Sequence, residues 1–221
     1  MKTMPDYLPF TEYTICQGED MYHFNSDSVL LGRFMKAKHS HRVLDIGCNQ
    51  GVLMLYASLH KPAGITGIDL FPEVLELCRQ NLEENHVSAN LVCTSLQNFT
   101  DIPYNVVVCN PPYYETADHL KNENPYLRAA RHTEYLNTED LFAGVDRLLH
   151  DTGTFYTVFR SAQLMKVLLT AQKHHLYLST LRIVYDRPGG TAKSALMAFT
   201  RSKTRDTEIL YPAYLNDKNT F

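Results

Sequence analysis

Short apolar runs alternate with amphipathic stretches along most of the chain. The runs RVLDIGC, GITGIDL, ANLVC and NVVVC are each bounded by turn residues, a pattern typical of buried β-strands. The stretches VLMLYASLH and PEVLELCRQNLEEN between them show helical spacing, and Pro72 stands in the first turn of the second one, where proline is favoured. This alternation predicts an open, mostly parallel sheet with right-handed crossover connections.

The second half of the chain continues the alternation after an interruption. From position 111 to about position 137 the sequence has little periodicity, which is long for a connection and typical of a functional or disordered loop. A helix over 139–150, the strand TFYTVF, the helix SAQLMKVLLTAQ and the strands LYLSTLRIVY and SALMAFTR follow. The last two strands are joined by DRPGGTAK without a helix, so we expect them to pair antiparallel. The predicted fold is α/β, with a seven-stranded, mostly parallel sheet and an antiparallel last strand.

The first 40 residues precede this pattern. The apolar pieces YTIC and MYHF, separated by Gly18, Glu19 and Asp20, predict a hairpin. A helix is expected to start near Ser26 or Asp27, both of which are good N-caps. We therefore expect a hairpin and helix extension over 1–40 and the main domain over 41–221.

Composition narrows the class of protein. Hydrophobic residues make up 44% of the chain and charged residues 20%, as in an ordinary globular domain. No apolar run approaches the roughly 18 residues that a membrane span needs, and MKTMPDYLPF lacks the apolar stretch of a signal peptide. The five cysteines form no CxxC pair, and the histidine pairs lack supporting ligands. We expect reduced thiols, no metal site, no membrane association and a cytoplasmic location; the oligomeric state stays open.

Charge is distributed unevenly along the chain. The net charge is −3, but residues 1–110 carry 7 Lys and Arg against 12 Asp and Glu, whereas residues 111–205 carry 13 against 9. A local excess of four positive charges is small and is also compatible with ordinary surface scatter. Where it does reflect function, it favours an anionic partner for the second half of the chain.

The first strand ends in a glycine-rich turn, VLDIGCNQG. Gly47 and Gly51 allow a tight turn and a close approach of a ligand, and Asp69 after the second strand is placed to accept hydrogen bonds from ribose hydroxyls. The glycines that a dinucleotide fingerprint needs at positions 49 and 52 are absent. Asp45 would repel a pyrophosphate but suits S-adenosylmethionine (SAM), which carries a cationic amino group and no phosphate. A purely structural Asp-Gly turn is the alternative.

The strand NVVVC leads into Asn110, Pro111, Pro112 and Tyr113. An exocyclic amine on adenine is a poor nucleophile, because its lone pair is delocalised into the ring. The Asn110 side-chain oxygen and the Pro111 carbonyl can each accept one of its N–H groups, which aims the lone pair and stabilises the growing positive charge. Tyr113 offers a stacking face for a flat base. This motif predicts methyl transfer to an amino nitrogen without a metal or a shifted-pKa base.

The segments VLDIGCNQG, GIDL and NPPY together resemble amino-nitrogen methyltransferases that act on adenine or on the glutamine of release factors. HFNSDSVLLGRF and RAARHTEYLNTEDLFAGVDRLLHDTGTFYTVFR look like the bacterial valine-tRNA adenine-N6 methyltransferases, which modify adenosine 37, next to the anticodon. The resemblance implies a Rossmann-like class I fold, a tRNA substrate and SAM as cofactor. It also implies cofactor contacts from Asp45, Gly47, Gly51, Asp69 and Asn110.

Two positions depart from the usual family pattern. Asn49 stands where such families usually have glycine, and Ser95 stands where an acidic residue usually lies near the adenine of the cofactor. Serine can still hydrogen-bond the adenine edge, so Ser95 is counted among the cofactor residues. By the resemblance, Ser26 and Asp27 close over the methionine end.

Arg128, Arg131 and His132 in the long connection are predicted to contact RNA phosphates, although solvated loop charges are an equal alternative.

Two other functions for the chain stay open. The same NPPY chemistry serves protein glutamine methylation, in a family that typically has about 70 residues of helical substrate domain where this chain has about 40 before its first sheet strand. A non-catalytic SAM- or RNA-binding protein is the other alternative.

Overall fold

The computed structural model describes residues 2–111, 136–203 and 206–215. Five residues with a predicted role lie outside the described residues: Pro112, Tyr113, Arg128, Arg131 and His132.

One central sheet of nine strands dominates the structure, and it runs in the order β10-β8-β9-β7-β6-β3-β4-β5, with β11 also paired to β8. A separate hairpin precedes it, formed by β1 (Thr3–Tyr7) and β2 (Thr14–Gly18). The predicted pairing of YTIC with MYHF was wrong: YTIC contributes to β2, but its partner is the earlier β1, and residues 21–24 form no strand. The sheet strands are β3 (Arg42–Ile46), β4 (Gly64–Asp69), β5 (Asn90–Cys93), β6 (Tyr104–Cys109), β7 (Leu149–Arg160), β8 (Tyr177–Tyr185), β9 (Ala192–Thr200), β10 (Glu208–Ile209) and β11 (Ala213–Tyr214).

The strand directions confirm the predicted fold class. Strands β3 to β7 pair in parallel, whereas β9 is antiparallel to both of its neighbours, β7 and β8. Seven of the nine strands are those expected from the sequence. The two short strands β10 and β11 were not predicted: they pair in parallel with β8 at the far edge of the sheet, and each is two residues long. Runs this short carry no readable alternation.

Helices cover both faces of the sheet. They are α1 (Ser26–Phe34), α2 (Val52–Ser58), α3 (Pro72–Glu84), α4 (Thr138–Leu148) and α5 (Leu164–Lys173), the last preceded by a 3₁₀ turn (Ser161–Gln163). The expected N-cap of α1 was wrong by one residue. Asn25 is the cap, because its side-chain oxygen accepts a hydrogen bond of 3.2 Å from the backbone N–H of Ser28.

The strands bury alternate residues on opposite faces. In β3, Val43 joins the core under α1, α2 and α3, while Leu44 joins the core under α4 and α5. In β6, Val106 and Val108 face the first core and Val107 faces the second. Since both faces are covered, these strands read as continuous apolar runs and not as an alternating pattern. Each fully buried Val or Leu side chain contributes about 1.5–3 kcal/mol of transfer free energy.

Within 2–111, 136–203 and 206–215, no helix is long and apolar enough to cross a bilayer. The same ranges contain no group of three or more His, Cys, Asp or Glu side chains that could hold a metal ion.

Candidate functional site

A cavity opens at the carboxyl ends of β3, β4 and β6, where ligands bind in open α/β sheets. Its lining includes Ile46 and Cys109, the last residues of β3 and β6, and Ile68, the next-to-last residue of β4. The walls come from the loops that follow these strands and from the segment between β2 and α1. The cavity therefore lies where the sequence placed the glycine-rich turn and the Asn-Pro motif.

The turn from β3 to α2 has three residues in the left-handed region: Gly47 with φ 68°, Asn49 with φ 48° and Gly51 with φ 93°. A Cβ on Gly51 would lie 3.0 Å from the Cys78 Sγ atom, so glycine meets both a conformational and a packing requirement there. Asparagine is among the residues that tolerate this region best. The departure at Asn49 is thus compatible with the turn that glycine usually makes.

Asp69 ends β4 and faces the same turn. Its Oδ2 atom accepts a hydrogen bond of 3.0 Å from the backbone N–H of Asn49, and its Oδ1 atom accepts bonds of 2.7 Å and 3.3 Å from the N–H groups of Leu70 and Phe71. Burial raises the pKa of this carboxyl above its usual range, and the three N–H donors oppose that rise. The carboxylate is therefore held in one orientation at the mouth of the cavity.

Asp45 lies near the end of β3 with only 1% of its surface exposed, and it is not among the residues that line the cavity. Neither carboxylate oxygen has a hydrogen-bond partner among the described residues. Burial, with a further contribution from the charge of Asp69, raises the pKa of Asp45 well above its usual range. A buried, unpartnered carboxylate is costly to keep, which is the expected signature of a group that receives a cationic ligand.

The segment between β2 and α1 closes one side of the cavity and is attached to the glycine-rich turn by Gln50. The buried Gln50 side chain accepts a 3.0 Å bond from the backbone N–H of Gly18 and donates a 2.9 Å bond to the carbonyl of Tyr22. Asn81 on α3 donates to the carbonyls of Gln50 at 2.9 Å and Cys16 at 3.0 Å. Sequence reasoning missed both amides, because isolated Gln and Asn carry no local signal.

Asn110 follows β6 and reaches across the cavity to α1. Its Nδ2 atom donates a hydrogen bond of 3.0 Å to the Oγ atom of Ser28, and both residues line the cavity. The two neighbours of Ser28 that were expected to close over a ligand do not line the cavity. Ser26 is exposed, and the Oδ1 atom of Asp27 accepts a 2.8 Å bond from the Ser194 hydroxyl on β9.

The remaining wall is formed after β5, where Thr94, Ser95 and Leu96 lie beside the cavity together with Leu136. The Ser95 Oγ atom accepts a bond of 3.3 Å from the backbone N–H of Asn98, which shapes the turn there. Ser95 thus lines the cavity, as predicted for a cofactor residue.

Comparison with known proteins agrees with this geometry. Residues 21–123 match the family model for the methyltransferase small domain. A tRNA1(Val) (adenine(37)-N6)-methyltransferase of Phocaeicola vulgatus is 28% identical over 89% of this chain and 85% of its own length. One of the same name from Aeromonas hydrophila is 28% identical over 84% of this chain and 80% of its own length. The chain is a SAM-dependent methyltransferase.

The fold of this methyltransferase also matches solved structures. A T. thermophilus 16S rRNA N2 G1207 methyltransferase, solved with AdoMet and guanosine, superposes with a TM-score of 0.65 at 14% identity, covering 91% of this chain and 50% of that one. A predicted O-methyltransferase of Agrobacterium tumefaciens also gives a TM-score of 0.65, at 15% identity, covering 87% and 89%. These likenesses establish the class I methyltransferase fold.

The described residues of the methyltransferase fit its cofactor. The orphaned carboxylate of Asp45 suits the SAM ammonium, and the anchored carboxylate of Asp69 suits ribose hydroxyls. Gly47, Asp69, Ser95 and Asn110 line one cavity, whereas Asp45 and Gly51 do not line it; Gly51 caps the start of α2. The part of the NPPY motif within the described residues, Asn110 and Pro111, lines the same cavity. The individual cofactor and substrate contacts stay predictions.

Proposed function

We propose that this methyltransferase transfers the methyl group of SAM to the N6 atom of an adenine in RNA, and that its substrate is adenosine 37 of a valine tRNA. The observation that carries the proposal is the position of Asn110. Its amide lines the same cavity as the glycine-rich turn and Asp69, so an amine held by Asn110 and a cofactor held by that turn share one space. The relatives named for this reaction support the choice of substrate.

Three groups of this chain hold the cofactor in the proposal. Asp45 receives the ammonium, Asp69 accepts hydrogen bonds from the ribose hydroxyls, and Ser95 bonds the adenine edge. The three N–H donors hold the Asp69 side chain in one rotamer before the ligand binds. Less conformational entropy is therefore lost on binding. When bound, SAM supplies an electrophilic methyl group on a sulfonium.

In the proposed mechanism the residues of this chain orient the substrate amine and stabilise its charge. The Asn110 Oδ1 atom and the Pro111 carbonyl accept the two N–H bonds of the adenine amine and turn its lone pair toward the methyl group. As nitrogen gains positive charge, both acceptors stabilise it, an electrostatic contribution worth about 3–4 kcal/mol per group in comparable sites. The proton that the methylated amine loses passes to water.

Basic side chains at the edge of the sheet where the cavity opens support an RNA substrate. Arg160 ends β7, which runs parallel to β6, so it lies at the same edge of the sheet as Asn110. Arg187 and Lys193 lie in and just after the β8–β9 connection at this edge, both exposed. Asp186 is the acidic residue of that connection. Phosphate contacts of this kind fix the position of a nucleic acid without reading its sequence.

The test is transfer from isotopically labelled SAM to tRNA, followed by digestion and mass spectrometry. We expect label in N6-methyladenosine within the anticodon-loop fragment of a valine tRNA that lacks the modification, and none when adenosine 37 is replaced by guanosine. An unpaired loop base is cheaper to flip out than a base in a duplex. Label on a release-factor glutamine would support the alternative enzyme, and SAM binding without transfer to either would support a non-catalytic protein.

A further inference from the structure

The hydrogen bond between Ser28 and Asn110 joins two elements that are 82 residues apart in the sequence. Ser28 lies in the first turn of α1, with 6% of its surface exposed, and Asn110 follows β6. Both line the cavity. The bond holds the amide nitrogen of Asn110, whereas the proposed chemistry uses the amide oxygen.

We infer that Ser28 is a positioning residue that holds the Asn110 amide in place for catalysis, with its nitrogen toward Ser28. The two ends of an asparagine amide have nearly the same shape but opposite hydrogen-bonding character. An amide turned by 180° would present N–H groups to the N–H groups of the substrate amine and would repel it. With the nitrogen bonded to Ser28, the oxygen takes the other branch of the amide. This inference rests on the proposed function of Asn110.

Ser28 is itself held by a chain of hydrogen bonds. Its backbone N–H bonds the Asn25 Oδ1 atom, and the Asn25 Nδ2 atom donates a 2.8 Å bond to the Tyr22 hydroxyl. The Tyr22 carbonyl in turn accepts bonds of 3.3 Å and 2.9 Å from the side chains of Asn49 and Gln50 in the glycine-rich turn. The segment 22–28 therefore contacts the cofactor turn at one end and the catalytic amide at the other.

The effect of a substitution distinguishes a buried serine with a purely structural hydrogen bond from a positioning residue. Removal of a purely structural hydroxyl changes stability, whereas removal of a positioning hydroxyl changes turnover and the state of the partner amide. Ser194 provides the matched control. Its buried hydroxyl bonds Asp27 on the same helix at 2.8 Å, but Ser194 does not line the cavity.

The first measurement is independent of the substrate. In spectra of the ¹⁵N-labelled full chain, the side-chain NH₂ signals of Asn110 are assigned by their loss in Asn110→Ala. We expect Ser28→Ala to shift these signals and to speed their exchange with water, and Ser194→Ala to leave them in place. Ser28→Cys, which keeps the volume with a weaker acceptor, serves if the alanine variant does not fold. Unchanged Asn110 signals in both Ser28 variants would overturn the inference.

The second measurement is turnover on tRNA with saturating SAM. We expect Ser28→Ala to lower kcat about 10-fold, the value of one hydrogen bond, with KM and the SAM dissociation constant within about 2-fold. In the Asn110→Ala background the same change should have no further effect, because Ser28 acts through Asn110. Equal, additive losses in both backgrounds would contradict the inference. A wild-type enzyme that leaves tRNA unmodified would refute the proposed function instead, while the spectra still decide the role of Ser28.

Discussion

The backbone N–H of Asn49 donates a hydrogen bond of 3.0 Å to the Oδ2 atom of Asp69. Asn49 has a left-handed backbone in this turn, with φ 48°. The side chain of Asn49 adds a 3.3 Å bond to the carbonyl of Tyr22. Asn49 thus connects the carboxylate of Asp69 with the N-terminal segment.

The first prediction concerns Asn49. Asn49→Gly should keep the SAM dissociation constant within about 3-fold, because glycine adopts the same backbone and retains the N–H bond to Asp69. Asn49→Val should weaken SAM binding about 10-fold or more, since a β-branched residue strains this conformation by roughly 1–2 kcal/mol. Titration calorimetry measures both. Equal affinities of the two variants would show that the backbone conformation is not what matters.

The second prediction concerns Asp69. Asp69→Ala should weaken SAM binding by about 1.5–3 kcal/mol, the range for a hydrogen bond to a charged group. S-adenosylhomocysteine should lose affinity to the same extent, because it carries the same ribose, and NAD should not bind the wild-type protein. Calorimetry with the three ligands checks this. Tight binding of NAD without binding of SAM would contradict a SAM site at Asp69.

The third prediction concerns pH and Asp45. A carboxyl with a raised folded-state pKa binds its proton more tightly in the folded chain, so its contribution to stability is present at low pH and is lost as pH rises through that pKa. SAM binding needs the charged carboxylate and should strengthen over the same rise.

Asp45→Asn should therefore flatten both profiles and weaken SAM binding by roughly 1.5–3 kcal/mol at neutral pH. Urea unfolding and calorimetry across pH measure them, and Asp69 contributes a remaining slope because its pKa is also raised. If the SAM dissociation constant changed neither with pH nor in Asp45→Asn, Asp45 would be excluded as the partner of the SAM ammonium.

The fourth prediction concerns Asn110. Asn110→Ala should lower kcat by roughly 10²–10³ and leave the SAM dissociation constant within a few-fold, because the lost acceptor acts mainly in the transition state. Single-turnover kinetics on unmodified tRNA separates the two quantities. If SAM affinity fell by the same factor as the rate, Asn110 would act only in cofactor binding.

The fifth prediction concerns the basic edge of the sheet. The double change Arg187→Glu and Lys193→Glu should weaken tRNA binding and reduce the log–log salt slope by about 0.7 for each lost phosphate contact. Lys38→Glu is the matched control, because Lys38 is exposed just before β3, at the opposite edge of the sheet. SAM affinity should stay the same in both. An equal effect of the control would indicate a general charge effect without a defined surface.

The sequence alone determined the fold class and the main parts of the site. Apolar runs separated by amphipathic helices predict a doubly covered sheet, because period and length are local properties of the chain. Gly47, Asp69 and Asn110 could be located for the same reason: each directly follows or ends a strand, and the carboxyl ends of parallel strands meet at one edge. The Asn-Pro motif also limited the chemistry before any contact was known.

Tertiary structure decided which neighbouring residue takes each role. The family resemblance pointed to Ser26 and Asp27 at the start of α1, but it is Ser28 that lines the cavity and bonds Asn110, 82 residues away. The amides of Gln50 and Asn81, which attach the N-terminal segment to the cofactor turn, have no local signature. Hydrogen bonds between distant segments depend on how a helix is rotated about its axis and on how several elements pack together. Neither can be predicted from the residues of a single element.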